Sequence, residues 1–181
     1  SRVIVADNGP PGEHTHVYSR DWHVDIDVLD LDHDIGIGAC RAALVEAVTE
    51  PYLWMGDCDM AFCRPGYLAR LREILDSDAQ LGGVSGWLVE GDTVRSGARD
   101  LEVVGSTLVK TGAEPRTETD PLPHARFEFV PQCGLFRREV FDTYGYDDAL
   151  RSHEHMDFFL GHREAGEWTF ASTPVVQVLH N

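Results

Sequence analysis

The stretch HDIGIGACRAALVEAVTEPYLWMGDCDMAF, residues His33–Phe62, joins three signals in one block. Ile37, Cys40, Leu44, Ala47 and Val48 recur at helical spacing, and Pro51 ends the helix. Tyr52–Met55 follows as a short apolar strand. It runs into Gly56, Asp57, Cys58 and Asp59. A helix feeding an apolar strand that stops in charge predicts an α/β sheet with a site at a strand's carboxyl end.

On an extended segment the side chains at i and i+2 point the same way. Asp57 and Asp59 are therefore expected to converge on one point. Two uncompensated carboxylates there would repel, and a hard divalent cation, Mn2+ or Mg2+, relieves the conflict. The spacing alone is weak evidence, because Asp25/Asp27, Asp30/Asp32 and Asp32/Asp34 share it. Those pairs lie along a half-exposed strand and its exit loop, where a charged outer face explains them. Only Asp57/Asp59 ends an apolar strand that follows a helix, and metal binding is expected there.

Working outward, RVIVAD reads as a strand closed by the NGPPG turn, and Val24, Ile26 and Val28 mark one face of a half-exposed strand. RPGYLARLREILDSD is a helix with Pro65 in its first turn and Tyr67, Leu68, Leu71, Ile74 and Leu75 as its stripe. GGVSGWLVEG and DLEVVGSTLVKT read as two strands, and GAEPRTETDPLPHA as a loop. FEFVPQCGLF reads as a strand and RREVFDTYG as a short helix stopped by Gly145. SHEHMDFFLGHREAG reads as a helix capped by Ser152 and ended by Gly166. WTFAS and VVQVLH are two strands around Pro174. The expected fold is one α/β domain over residues 1–181, a mixed, mostly parallel sheet flanked by helices.

The net charge of −16 argues against nucleic acid as a partner, because the average field repels phosphates. A nucleotide ligand would need a local cation. No apolar run reaches the ~20 residues of a membrane helix. The abrupt start at SRVIVADNG reads as a trimmed chain and leaves membrane association open. Cys40, Cys58, Cys63 and Cys133 form no CxxC pair, so they read as reduced thiols of a cytoplasmic protein rather than zinc ligands.

A second set of acids opens the helix after Ser152. Glu154 and Asp157 are three apart and share a helix face, at an end that favours negative charge. Either could be a general base, and either could serve only helix stability. His155 is placed to orient a carboxylate, while His153 and His162 are expected to be exposed. Trp54 reads as core or pocket wall. Trp87, between glycines and strand residues, is the better platform for a sugar.

HDIGIGACRAALVEAVTEPYLWMGDCDMAF resembles the central block of GT-A-fold nucleotide-sugar glycosyltransferases of the family-two-like group. CGLFRREVFDTYGYDDALRSHEHMDFFLGHREAG resembles their later, base-carrying block. LWMGDCDMAF, HMDFF and VVQVLH together look closest to β-1,4-N-acetylgalactosaminyltransferases. The resemblance implies that Asp7 contacts the nucleotide base and that Arg41 lies near the uracil and donor. It implies that Asp59 contacts the metal, with Asp57 nearer the ribose and donor sugar, and that His180 completes the metal shell. Asp157 would be the general base. The implied reaction is inverting transfer from a UDP-sugar to a hydroxyl of a glycan, glycolipid or other acceptor. The family's first strand would precede SRVIVAD, so an exposed sheet edge and a reduced base pocket are expected unless another segment replaces it. A non-catalytic nucleotide-sugar or glycan-binding domain is the main rival. A nucleotidyltransferase is a weaker one, since no basic, Gly-rich phosphate loop is present.

Overall fold

The computed structural model describes residues 2–112 and 122–181. β1 (Arg2–Asp7) leads through a turn and the short α1 (Thr15–Tyr18) to β2 (Asp25–Asp30), which pairs parallel with β1 as a separate two-stranded sheet. α2 (Ile37–Ala47) and β3 (Tyr52–Met55) follow as the sequence predicts. The chain continues as β4 (Met60–Phe62), α3 (Tyr67–Ser77), β5 (Leu81–Glu90) and β6 (Thr93–Arg95). β7 (Asp100–Val104) and β8 (Thr107–Thr111) form a hairpin of their own. β9 (Ala125–Phe127), β10 (Gly134–Arg137), α4 (Val140–Thr143), α5 (Glu154–Ala165) and β11 (Thr169–His180) complete it.

The main sheet has the order β3-β10-β5-β11-β4, with β6 on β5 and β9 on β11. β5 and β11 pair parallel; β10 is antiparallel to both β3 and β5, and β4 is antiparallel to β11. So β3, β5 and β11 run one way and β10 and β4 the other, which is the mixed sheet expected.

Strand alternation sends successive side chains to opposite faces, and each face has its own core. On one, Leu71, Ile74 and Leu75 of α3 pack on Val84, Leu88, Leu135 and Val178. On the other, Phe158 and Phe159 of α5 and Val140 and Phe141 of α4 pack on Leu53, Met55, Phe136 and Phe170. Phe136, Phe158 and Phe159 are fully buried, each worth roughly 2–3 kcal/mol of transfer free energy as an upper estimate.

Several local expectations are corrected. FEFVPQCGLF is two strands, because residues 128–133 leave β9 before β10 joins a different neighbour. DLEVVGSTLVKT is the β7–β8 hairpin, turned at Gly105 with φ 62°. WTFAS and VVQVLH are one strand whose register with β5 breaks between Thr173 and Gln177, so Pro174 sits in an irregularity and interrupts no ladder. α4 ends at Thr143, with Tyr144 already extended, before Gly145. The cap position of α5 is His153, left-handed at φ 63°, not Ser152, while Gly166 at φ 69° ends the helix as expected. Pro65 precedes the Gly66 cap of α3, and Leu68 of its stripe is 46% exposed. Val24 and Val28 are also exposed, so β2 is more open than its alternation suggested. His162, expected at the surface, is fully buried.

Among the described residues no helix is long and apolar enough to cross a membrane, and all four cysteines are free. Residues 113–121 of the expected loop lie outside the described residues.

Candidate active site

Asp7 ends β1, Asp57 follows β3, Glu90 ends β5 and His180 ends β11. β3, β5 and β11 point the same way, so three of these groups gather at the carboxyl edge, where open α/β sheets bind ligands.

Asp57 and Asp59 do not continue β3 as an extended segment. The chain turns there, and the Met60 N–H donates to the Asp57 carbonyl at 3.1 Å. That turn carries the chain from β3, paired with β10, to β4, paired with β11. Each of the two carboxylates has its own partner.

Asp57 Oδ1 accepts from Arg41 Nη2 at 2.8 Å, and Arg41 Nη1 donates to Glu154 Oε1. Arg41 is 5% and Glu154 2% exposed. Local packing brings them together. A side chain on Gly38 would collide with the Asp147 and Leu150 carbonyls at 2.3 and 2.4 Å, and the Gly38 N–H donates to Leu150. The start of α2 thus rests on the turn before α5, and Arg41, one turn on, meets Glu154. Tyr146 lies under the guanidinium with 5.8 Å to its ring centre, and its hydroxyl donates to Gln132 Oε1 at 2.8 Å. Burial holds the Tyr146 phenol protonated far above its ordinary range. Glu154 is thereby the buried counter-ion of Arg41. Arg41 holds two carboxylates, the buried Glu154 and the part-exposed Asp57.

Asp59 faces His180 instead: Oδ2 and Nε2 are 3.6 Å apart. The other ring nitrogen, Nδ1, lies 2.8 Å from Glu90 Oε1. A carboxylate only accepts, so the proton between them belongs to Nδ1, and a neutral ring turns its Nε2 lone pair toward Asp59. Two electron-rich groups then face each other. A proton on Nε2 or a cation resolves that, and a carboxylate–histidine pair with the ring held by an outer carboxylate suits a divalent metal. Glu90 is held below the usual carboxylate range, first by His180 and then by Arg95. Among the described residues no three His, Cys, Asp or Glu side chains converge on one point.

Asp7 accepts from the Gly9 N–H at 2.9 Å and lies 3.2 Å from His14 Nδ1; that backbone bond, ahead of His14 and Tyr18, pulls its pKa down. Burial and then Asp7 push the Tyr18 phenol above its ordinary value. Trp87 is half-buried on β5, next to Leu88, which packs with α3. Asp157 accepts from the Tyr144 hydroxyl at 3.0 Å and has no bond to the Arg41 cluster. Trp54 packs against Phe62 with ring centres 5.0 Å apart and planes tilted by 48°. Glu90, Tyr146, Gln132 and Tyr18 escaped the sequence reading. Only Glu90 carried a signal, an acid ending an apolar strand just before a glycine.

No protein-family model matches this chain, and no curated protein matches it. Solved structures do. GalNAc-T7 with UDP, GalNAc and Mn2+ superposes with a TM-score of 0.76 at 14% identity, covering 99% of this chain and 37% of that one. TarS 1–349 of S. aureus gives 0.61 at 14% identity, and its UDP-GlcNAc complex gives 0.60 at 11% identity. These alignments cover 96% and 99% of this chain and 51% and 50% of TarS. The chain thus spans between about a third and a half of these proteins, and what it shares with them is the GT-A glycosyltransferase fold.

Proposed function

We propose that this chain is the donor-binding and catalytic core of a metal-dependent, inverting glycosyltransferase that moves a sugar from a UDP-sugar to an acceptor hydroxyl. The observation that carries this reading is the gathering of Asp57, Asp59, Glu90 and His180 at the carboxyl edge of a GT-A sheet. Asp59 and His180 would hold Mn2+ or Mg2+, with Asp57 Oδ2, the oxygen Arg41 leaves free, toward the ribose and donor sugar. When bound, the ion would supply positive charge to the diphosphate leaving group.

The other steps belong to the chain. Arg41 orients Asp57, and Glu90 orients His180. Asp7 and Tyr18 would border the nucleotide base, and Trp87 the donor sugar. The first turn of α5, bearing Glu154, His155 and Asp157, lies on the far side of Arg41 from the turn after β3 and would supply the proton acceptor. A base set apart from the donor's phosphates suits attack from the opposite face of the anomeric carbon, hence inversion. The donor class is proposed as UDP-N-acetylhexosamine, on the motif likeness to β-1,4-N-acetylgalactosaminyltransferases, on the UDP and GalNAc found with GalNAc-T7 and on the UDP-GlcNAc found with TarS. A glycan or glycolipid hydroxyl is the proposed acceptor.

The test is a thermal-shift series with UDP, UDP-GlcNAc and UDP-GalNAc, each with and without Mn2+, followed by UDP release and product stereochemistry. A metal-dependent rise in Tm with sugar consumption is expected. No shift with any of them rejects the reading. A shift without turnover of donor favours the non-catalytic binding domain, and retained configuration rejects inversion.

A further inference from the structure

We propose that His155, oriented by Glu154, is the general base that takes the acceptor's proton, and that Asp157 is not. This rests on the glycosyltransferase reading above and names the group on α5 that the reading leaves open. His155 Nδ1 lies 3.3 Å from Glu154 Oε1, the same oxygen that Arg41 Nη1 holds. The carboxylate can only accept, so Nδ1 carries the ring proton and Nε2 keeps its lone pair. Nε2 makes no hydrogen bond among the described residues, and a third of the side chain is open to solvent. Phe129 packs against the ring with centres 5.7 Å apart and limits its rotation.

A base must be unprotonated at working pH and held in place. Both conditions follow from the neighbours. Burial lowers the His155 pKa below its ordinary value; Glu154 opposes that, while Arg41 on α2 and Lys110 on β8 support it. Arg41 already balances Glu154, so the imidazole need not protonate to satisfy that carboxylate. Lys110 stands 3.8 Å from the centre of the Phe129 ring, close enough to disfavour a second cation beside it. The geometry also connects His155 to the donor side across Arg41. Glu154, Arg41 and Asp57 form one chain of hydrogen bonds that ends at the turn after β3. Asp157 belongs to a different set, with Tyr144.

The step balances. As the acceptor oxygen bonds to the anomeric carbon, its proton passes to His155 Nε2. The bond from that carbon to the diphosphate oxygen breaks, and its electron pair leaves with UDP. The imidazolium formed is stabilised by Glu154 and returns its proton to water.

Two measurements on the whole chain test this. In 15N-histidine-labelled protein at pH 7, His155 should show the neutral Nδ1–H tautomer, and E154Q should abolish that preference. A protonated Nε2 or a charged ring at pH 7 overturns the proposal with no need of an acceptor. Second, H155N should lower kcat for UDP release from UDP-GlcNAc or UDP-GalNAc by about 10²–10⁴-fold, while the UDP and Mn2+ thermal shift stays as in the parent. D157N should cost less than about tenfold, and the acid limb of kcat should fall below pH 6.5, the ordinary histidine value. Loss of turnover on D157N with H155N still active overturns His155 alone. Failure of the parent chain to bind or consume any UDP-sugar overturns the glycosyltransferase reading, and the base with it.

Discussion

Asp57 and Asp59 stand two residues apart in one turn, yet the fold treats them oppositely. Asp57 is neutralised from within: a buried arginine holds it and Glu154 together. Asp59 is left half-exposed, facing a histidine whose far nitrogen is tied to Glu90. The first is a structural answer to charge: Asp57 is about as exposed as Asp59, but it has a fixed and buried partner. The second presents two groups that need a third. Equal spacing in sequence thus yields one carboxylate tied by a buried arginine to Glu154 and one set against a histidine.

The largest expected effect breaks the first site. Arg41→Met leaves Glu154 buried without its cation and should cost about 3–5 kcal/mol in urea unfolding. Adding Glu154→Gln to that background should recover a large part, because the stranded charge is then gone. A single-variant loss under about 1 kcal/mol would show that Arg41 holds nothing.

The second site should behave in reverse. Asp59→Asn or His180→Ala should leave the unliganded chain within about 1 kcal/mol of the parent. Either should remove the Mn2+-dependent stabilisation by UDP, which at a hundredfold excess over Kd is worth about 2.7 kcal/mol. Persistence of that shift in both variants would move the metal elsewhere.

His162 marks a third treatment, burial with no counter-charge. It lies among Phe158, Phe170 and Tyr144, donates from Nε2 to the Tyr144 carbonyl at 3.1 Å, and burial lowers its pKa to about 4. A folded-state value below the ordinary 6.5 means the unfolded chain binds its proton first. The stability it contributes is therefore complete above about pH 6.5 and is lost as pH falls toward about 4. His162→Phe should flatten that part of the stability–pH curve, at a cost of about 1 kcal/mol for the lost hydrogen bond. An unchanged slope would assign the acid sensitivity to other groups.

The smallest effect belongs to the look-alike pairs. Asp32→Asn, on the exposed exit of β2, should change stability by less than about 0.5 kcal/mol and leave the UDP and Mn2+ shift untouched. A lost shift there would mean that the spacing matters more than its place at the end of a buried strand.

α2 and β3 were legible because each carries a strong period and a clear stop, and Pro51 separates them. β11 was not read as one strand because Pro174 looks like a break, and only the pairing with β5 shows the ladder resuming beyond it. β4 was hidden because three residues have no period; its pairing with the end of β11 makes it a strand. The candidate site divides the same way. Asp57, Asp59 and His180 announced themselves as polar residues at strand ends. Glu154 and Asp157 shared a predicted helix face, and nothing along the chain could show that one meets a buried arginine and the other a tyrosine.

By itself the sequence determined that helices and strands alternate, where charge interrupts apolar strands, and that the chain's strong negative charge calls for a cation wherever phosphates would bind. Those follow from periodicity and composition, which act over a few residues at a time. The tertiary structure alone decided which carboxylate is neutralised by an arginine, which one faces a histidine, and which ring on α5 meets Glu154. Such choices depend on groups as far apart in sequence as Arg41 and Glu154, or Glu90 and His180, and only packing sets the distances at which they meet.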